Sequence, residues 1–140
     1  MMKTYVFDAN TVSYLLRNGG DVPKNFKKFI IDGDASYAIP QIVAYEVKGW
    51  LNDRPTKQKL LFAQEFDVLF EAIRKEAEMD DNVWDKAVEI YIVLKHKGQL
   101  IGGADILIAA YSTANDFTLV TRNKSDFARI ADLRLVDWFV

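Results

Sequence analysis

Hydrophobic positions along the chain follow two rhythms. Tyr5-Val6-Phe7 is a short apolar run ended by Asp8, and it predicts a buried strand. Val12, Leu15 and Leu16 follow at helical spacing and predict a helix over 10–17, stopped by Asn18-Gly19-Gly20. Phe26, Phe29 and Ile30 predict a second helix over 23–31. Ala35 to Ile39 reads as a second strand. Pro40 then occupies a first-turn position of a helix running through Trp50, which the stretch from Asn52 to Pro55 breaks. A longer amphipathic helix is expected from Thr56 to about Lys75. Asp80 is placed to cap the next one, whose apolar stripe is Val83, Ala87, Ile90, Tyr91 and Leu94. Lys95, His96 and Lys97 suit the negative end of that helix, with Gly98 as its cap. Gly102-Gly103 precede a nearly all-apolar helix over 104–114. Asn115-Asp116 turn the chain into a strand over 117–120, and 134–138 reads as a last strand.

Strands separated by helices imply an α/β fold with a parallel sheet covered on both faces. Ligands of such sheets bind beyond the carboxyl ends of the strands. With 140 residues and no repeat, linker or composition break, 1–140 is expected to form a single domain.

Composition narrows the chemistry. The formal charge is −2, which excludes nucleic-acid binding by bulk positive charge. Cysteine is absent, so disulfides, thiolate metal sites and cysteine nucleophiles are excluded. The single histidine, His96, rules out mechanisms needing a histidine pair, and its place at a helix end reads as structural. No secretory leader is visible, and no apolar run approaches the roughly 20 residues of a membrane span. A cytoplasmic protein with no membrane partner is the expectation.

Four acids stand where acids need a reason. Asp8 follows the first strand directly. It can cap the helix behind it, but Asn10 could do that instead and leave Asp8 free. At about 100° per residue, Glu46 lies about 40° from Ile42, inside the arc of Val43, Val47 and Trp50. A buried carboxylate there needs a cation, either Lys48 or an arginine as an ion pair, or a metal. Asp105 opens the most apolar helix. It reads as first-turn dipole stabilisation or as a ligand at a buried helix start, where the paired glycines allow close backbone approach. Asp126 lies just past the strand 117–120, as a cap, a solvated loop acid or a site residue. Gathered on one edge, four such charges would repel unless a cation bridged them. Oxygen ligands without histidine or cysteine suit Mg²⁺ or Mn²⁺, ions that commonly serve phosphate chemistry.

Four segments together carry a family resemblance. They are Val6-Phe7-Asp8-Ala9-Asn10, the run from Ile39 to Glu46, the run from Ile101 to Ala110, and the run from Leu119 to Phe127. In this order and spacing the chain resembles PIN-domain proteins, most closely the VapC-type toxins of toxin–antitoxin pairs. The resemblance implies a three-layer α/β/α sandwich with a mostly parallel central sheet. It implies a Mg²⁺- or Mn²⁺-dependent endoribonuclease with Asp8, Glu46, Asp105 and Asp126 at the acidic positions, Asp8 and Asp105 being the core metal ligands. Asn10, Thr121 and Asn123 match the polar positions that support the pocket by hydrogen bonds. A homodimer silenced by a cognate antitoxin is implied as well. The segment 52–79 carries no motif of the family.

The expected reaction is in-line attack of an activated water on an RNA phosphodiester, leaving 5′-phosphate and 3′-hydroxyl ends. Local positive charge for RNA is sought in Arg122 and Lys124, with Arg129 beside them. Further clusters are Lys24, Lys27 and Lys28, and Lys48, Arg54, Lys57 and Lys59, which read equally as solvated helix faces. Trp50, Leu51, Leu60, Leu61, Phe62 and Phe66 exceed what one helix face needs, and serve as core or as a surface for a partner helix or second copy. Two rival readings stand beside the nuclease. One is a haloacid-dehalogenase-like phosphatase using Asp8 as nucleophile and Asp80-Asp81 as its late acidic pair. The other is a non-catalytic scaffold that only binds partners.

Overall fold

The structure, a computed structural model, describes residues 3–18 and 35–139. Four strands form one sheet: β1 (Lys3–Phe7), β2 (Ala35–Ala38), β3 (Thr118–Val120) and β4 (Arg134–Val136). Their order is β2-β1-β3-β4 and every pair is parallel. Six α-helices flank the sheet among the described residues: α1 (Ala9–Asn18), α2 (Gln41–Asn52), α3 (Lys57–Ile73), α4 (Asp81–His96), α5 (Gly103–Ala114) and α6 (Lys124–Phe127). A 3₁₀ turn, Arg74–Ala77, closes α3.

β1 is central because its side chains can be buried on both faces. Val6 pairs with Ala38 on one side and Leu119 on the other, and all three are fully buried. The chain leaves β1 to one side through α1 and β2, and returns to the other side at β3. The crevice between the carboxyl ends of β1 and β3 is therefore the switch point of the sheet. Trp138, just beyond β4, packs on the face that Tyr5 and Phe7 share, its ring 4.7 Å from Tyr5 and 6.0 Å from Phe7.

Local signals set the helix ends. The Asp80 side chain caps α4 by accepting from Val83 N at 3.1 Å. At the other end Gly98 adopts φ +64°, and Gln99 N returns to Leu94 O at 2.8 Å. α5 buries Ile106 and the whole run from Ile108 to Ser112. The buried Ser112 hydroxyl is satisfied by donating to Ile108 O at 2.9 Å. The Tyr111 hydroxyl donates to Glu76 O and so ties α5 to the 3₁₀ turn.

Some expectations change. Pro40 is the N-cap of α2 rather than a first-turn residue, and the helix runs on to Asn52. The last strand stops at Val136; Trp138 lies beyond it, held by aromatic packing rather than by the sheet. α6 spans only four residues, too short to show a hydrophobic period. The helix expected over 23–31, with Lys24, Lys27 and Lys28, lies outside the described residues. Leu51 and Phe66 are core, whereas Leu60 and Leu61 face solvent at 59% exposure each. No described helix is long and apolar enough to cross a membrane.

Candidate active site

At the switch point a pocket of about 200 Å³ is lined by Asp8, Ala9, Asn10, Glu46, Asp105, Ile108 and Asn123. Three carboxylates reach it from three elements: the end of β1, the middle of α2 and the first turn of α5.

Asp8 is 6% exposed and both of its oxygens are used. Oδ1 accepts from Thr11 N at 2.9 Å, which makes Asp8 the N-cap of α1. Oδ2 accepts from the Thr121 hydroxyl at 2.6 Å. Asn10 therefore does not replace Asp8 as the cap; one carboxylate caps the helix and lines the pocket at once. Thr11 also donates its hydroxyl to Val120 O at 3.2 Å, pinning the start of α1 to the end of β3. That second anchor was hidden in the sequence, although its residue stands three places after Asp8, where a capped backbone N–H belongs.

The network continues along the loop after β3. Thr121 Oγ1 accepts from Asn123 N at 3.0 Å, and Asn123 Nδ2 donates to Asp126 Oδ2 at 3.2 Å. Thr121 and Asn123 thus bond to the acids, whereas Asn10 lines the pocket without a side-chain bond to one among the described residues. Asp126 does not line the pocket. It stands behind Asn123 and its Oδ1 lies 3.7 Å from Arg129 Nη2. Arg129 in turn reaches the carbonyls of Gln99 and Leu100 at 3.4 Å each, holding the loop before α5.

Glu46 and Asp105 have no such support among the described residues. Among the described residues neither pairs with a lysine or arginine, so the ion pair considered for Glu46 is not formed. Burial raises the Glu46 carboxyl above its ordinary value, and the charges of Asp105 and Asp8 raise it further. Burial likewise raises Asp105, followed by the charges of Asp8 and Asp126. The helix start at Asp105 is not buried as expected: Gly102 and Gly103 are exposed. A Cβ on Gly102 would meet only Asp105 Oδ2 at 3.9 Å, and one on Gly103 would meet nothing within 4 Å. The glycines serve no close approach there.

The donor set fits a hard divalent cation: carboxylates and amides, two acids raised by burial and by neighbouring acids, and, among the described residues, no basic side chain lining the pocket. The cage is not preformed, for among the described residues no three acidic or imidazole side chains are gathered tightly enough to hold an ion. Several of the basic residues expected to meet RNA have close neighbours. Arg122 stacks on Phe139 at 5.3 Å, and Lys124 lies 3.9 Å from Asp137. Lys48 and Lys59 sit over the rings of Phe70 and Trp50. Asp80, proposed as half of a phosphatase acid pair, is a helix cap.

A family model for the PIN domain matches residues 5–133. The chain belongs to the PIN-domain family. Ribonuclease VapC1 of Haemophilus influenzae is 24% identical to this PIN domain over 138 residues, covering 96% of this chain and 97% of that protein. Ribonuclease VapC2 of Rickettsia felis is 44% identical over 50 residues, a span of 36% of this chain and 37% of that protein. The solved structure of VapBC2 from Rickettsia felis, bound to a DNA fragment from its promoter, superposes with a TM-score of 0.79 at 26% identity. That match covers 96% of this PIN domain and 98% of the solved chain. PIN-domain ribonucleases of this kind are metal-dependent.

Proposed function

We propose that this PIN domain is an endoribonuclease using Mg²⁺ or Mn²⁺, and the toxin of a toxin–antitoxin pair. The observation that carries the reading is the meeting of Asp8, Glu46 and Asp105 in one switch-point pocket that, among the described residues, no basic side chain lines. Relatives named ribonuclease and a fold shared with a toxin–antitoxin complex support the same reading.

Asp8, Glu46 and Asp105 would hold the ion, with Asp126 completing the shell or supporting it through Asn123. A divalent ion supplies there a Lewis acid for a phosphoryl oxygen and lowers the pKa of water. Asp8 is oriented by two hydrogen bonds and stays a fixed acceptor. Glu46, raised by burial, would orient the attacking water or take a proton from it. His96 lies in the last turn of α4 and does not line the pocket, so imidazole-assisted attack by a 2′-hydroxyl has no support. An exposed stripe on α4, Trp84, Val88, Tyr91 and Ile92, supports pairing with a second copy.

The test is purified protein, free of any partner, incubated with total RNA with and without Mg²⁺, with both ends of the products mapped. Metal-dependent cuts with 5′-phosphate and 3′-hydroxyl ends are expected. A 2′,3′-cyclic phosphate would overturn the mechanism, and intact RNA would overturn the function.

A further inference from the structure

A second groove, about 380 Å³, adjoins the acidic pocket and shares Ala9, Asn10 and Glu46 with it. Its size falls in the range of roughly 300–1,000 Å³ typical of small-ligand sites. Ser13 and Arg17 of α1 form one wall, and Val47 and Trp50 of α2 the other. Asn10, Ser13 and Arg17 fall at i, i+3 and i+7, which puts them on one face of α1 and aligns them away from the carboxylates.

Arg17 is the only basic side chain lining either compartment among the described residues. Its Nε donates to Ser13 O at 3.3 Å, which fixes the root of the guanidinium along the groove. No described carboxylate pairs with it, unlike Arg129 and Lys124 near the same site. Trp50 is held in place by Phe62, stacked at 6.3 Å, and by the Lys59 ammonium at 5.6 Å.

We propose that this groove seats the nucleotide next to the scissile phosphate of a single-stranded RNA, with Arg17 binding its phosphate and Trp50 walling its base. The assignment rests on the ribonuclease reading above. A pocket of three carboxylates repels a polyanion, so the substrate needs a cation one step away along its own backbone. A guanidinium matches phosphate in charge and in planar donor geometry. An aromatic wall accepts any base.

The test measures initial cleavage rates on total RNA over a range of RNA and NaCl concentrations, with Mg²⁺ present. The proteins are wild type, Arg17→Ala, Arg17→Lys and Trp50→Leu, the last keeping an apolar wall. Thermal melting of each variant accompanies the kinetics. Arg17→Ala is expected to raise KM about tenfold with kcat held within about twofold. It should also flatten the log–log salt slope by about 0.7, the value for one single-strand phosphate contact. Arg17→Lys should restore the slope and part of the KM. Trp50→Leu should raise KM about fivefold without changing the slope. Cleavage by wild type with unchanged KM and slope in Arg17→Ala would overturn the groove and leave the ribonuclease standing. No cleavage by wild type would overturn both.

Discussion

The two walls of the acidic pocket are built on opposite principles. On the strand side, Asp8 is tied by Thr11 and Thr121, and behind the lining Asp126 is held by Asn123 and Arg129. On the helix side, Glu46 and Asp105 are buried in part and are raised chiefly by that burial and by other acids. The first wall is complete as it stands, its charges stabilised and oriented by the protein itself. The second holds carboxyls raised above their ordinary values, a strain that a positive guest would relieve. A site that binds a metal reversibly needs both: a fixed reference ligand, and ligands with something to gain.

The largest effect separating the walls should come from Asp8→Asn. The amide keeps the shape and can still cap α1, but it removes the charge that both helix-borne acids sense. RNA cleavage is expected to fall by at least about 10³-fold, with the melting temperature changing by only a few degrees. Full cleavage by this variant would take Asp8 out of the site.

Next comes Thr121→Val, which breaks the strand-side wall without touching a carboxylate. Asp8 Oδ2 would lose its 2.6 Å donor while remaining buried. An orphaned buried acceptor costs about 1–3 kcal/mol, readable as a lower denaturant midpoint. Cleavage should drop by about 10–100-fold, as is typical when a ligand loses its orienting partner. An unchanged midpoint would mean that water replaces the hydroxyl and that the wall is not self-sufficient.

Most of the frame of this site could be read from sequence, because it depends on periodicity. Asp8 and Asp126 follow apolar strands, Glu46 breaks an apolar helical arc, and Asp105 opens the most apolar helix. Those local facts place the acids on one edge of a parallel sheet. What could not be read is who satisfies whom. The donor to Asp8 lies 113 residues away at Thr121, and Arg122 and Lys124 are occupied by Phe139 and Asp137 from the chain end. These long-range pairings depend on tertiary packing, which no local pattern encodes. The exposed start of α5 makes the same point: an apolar helix predicts a buried body, not a buried end.

Asp105→Asn should sharpen the comparison from the other side, with a smaller effect of opposite sign on stability. It relieves the helix-side wall, so metal-free protein should gain about 0.5–2 kcal/mol while cleavage is lost. The pH dependence has the matching sign. Glu46 and Asp105 have raised pKa values, so the folded protein holds protons that the unfolded chain has already released. Their contribution to stability is complete below the ordinary carboxylate values and drains away as pH rises through the raised ones. Urea midpoints of metal-free wild type should fall across that window, and Asp105→Asn should flatten the fall. A midpoint that rises across the window in wild type but not in the variant would show the helix-side acids to be stabilised, not frustrated.

The smallest effect is expected at Asp126. Its carboxylate faces a guanidinium at 3.7 Å, both side chains are about one-third exposed, and it stands outside the pocket lining. A pair this open to water contributes about 0–1 kcal/mol, so Asp126→Asn should barely move the denaturant midpoint. Its amide can still accept from Asn123 Nδ2, which preserves the chain of bonds leading to Thr121 and Asp8. Asp126 also raises Asp105, and losing that charge should lower the Asp105 pKa and weaken the site's attraction for a cation. Cleavage should therefore fall by less than about tenfold at saturating Mg²⁺, and by more when the ion is scarce. A loss as large as that of Asp8→Asn at every Mg²⁺ concentration would show that Asp126 moves into the pocket when substrate binds, and would transfer it from the supporting network to the wall itself.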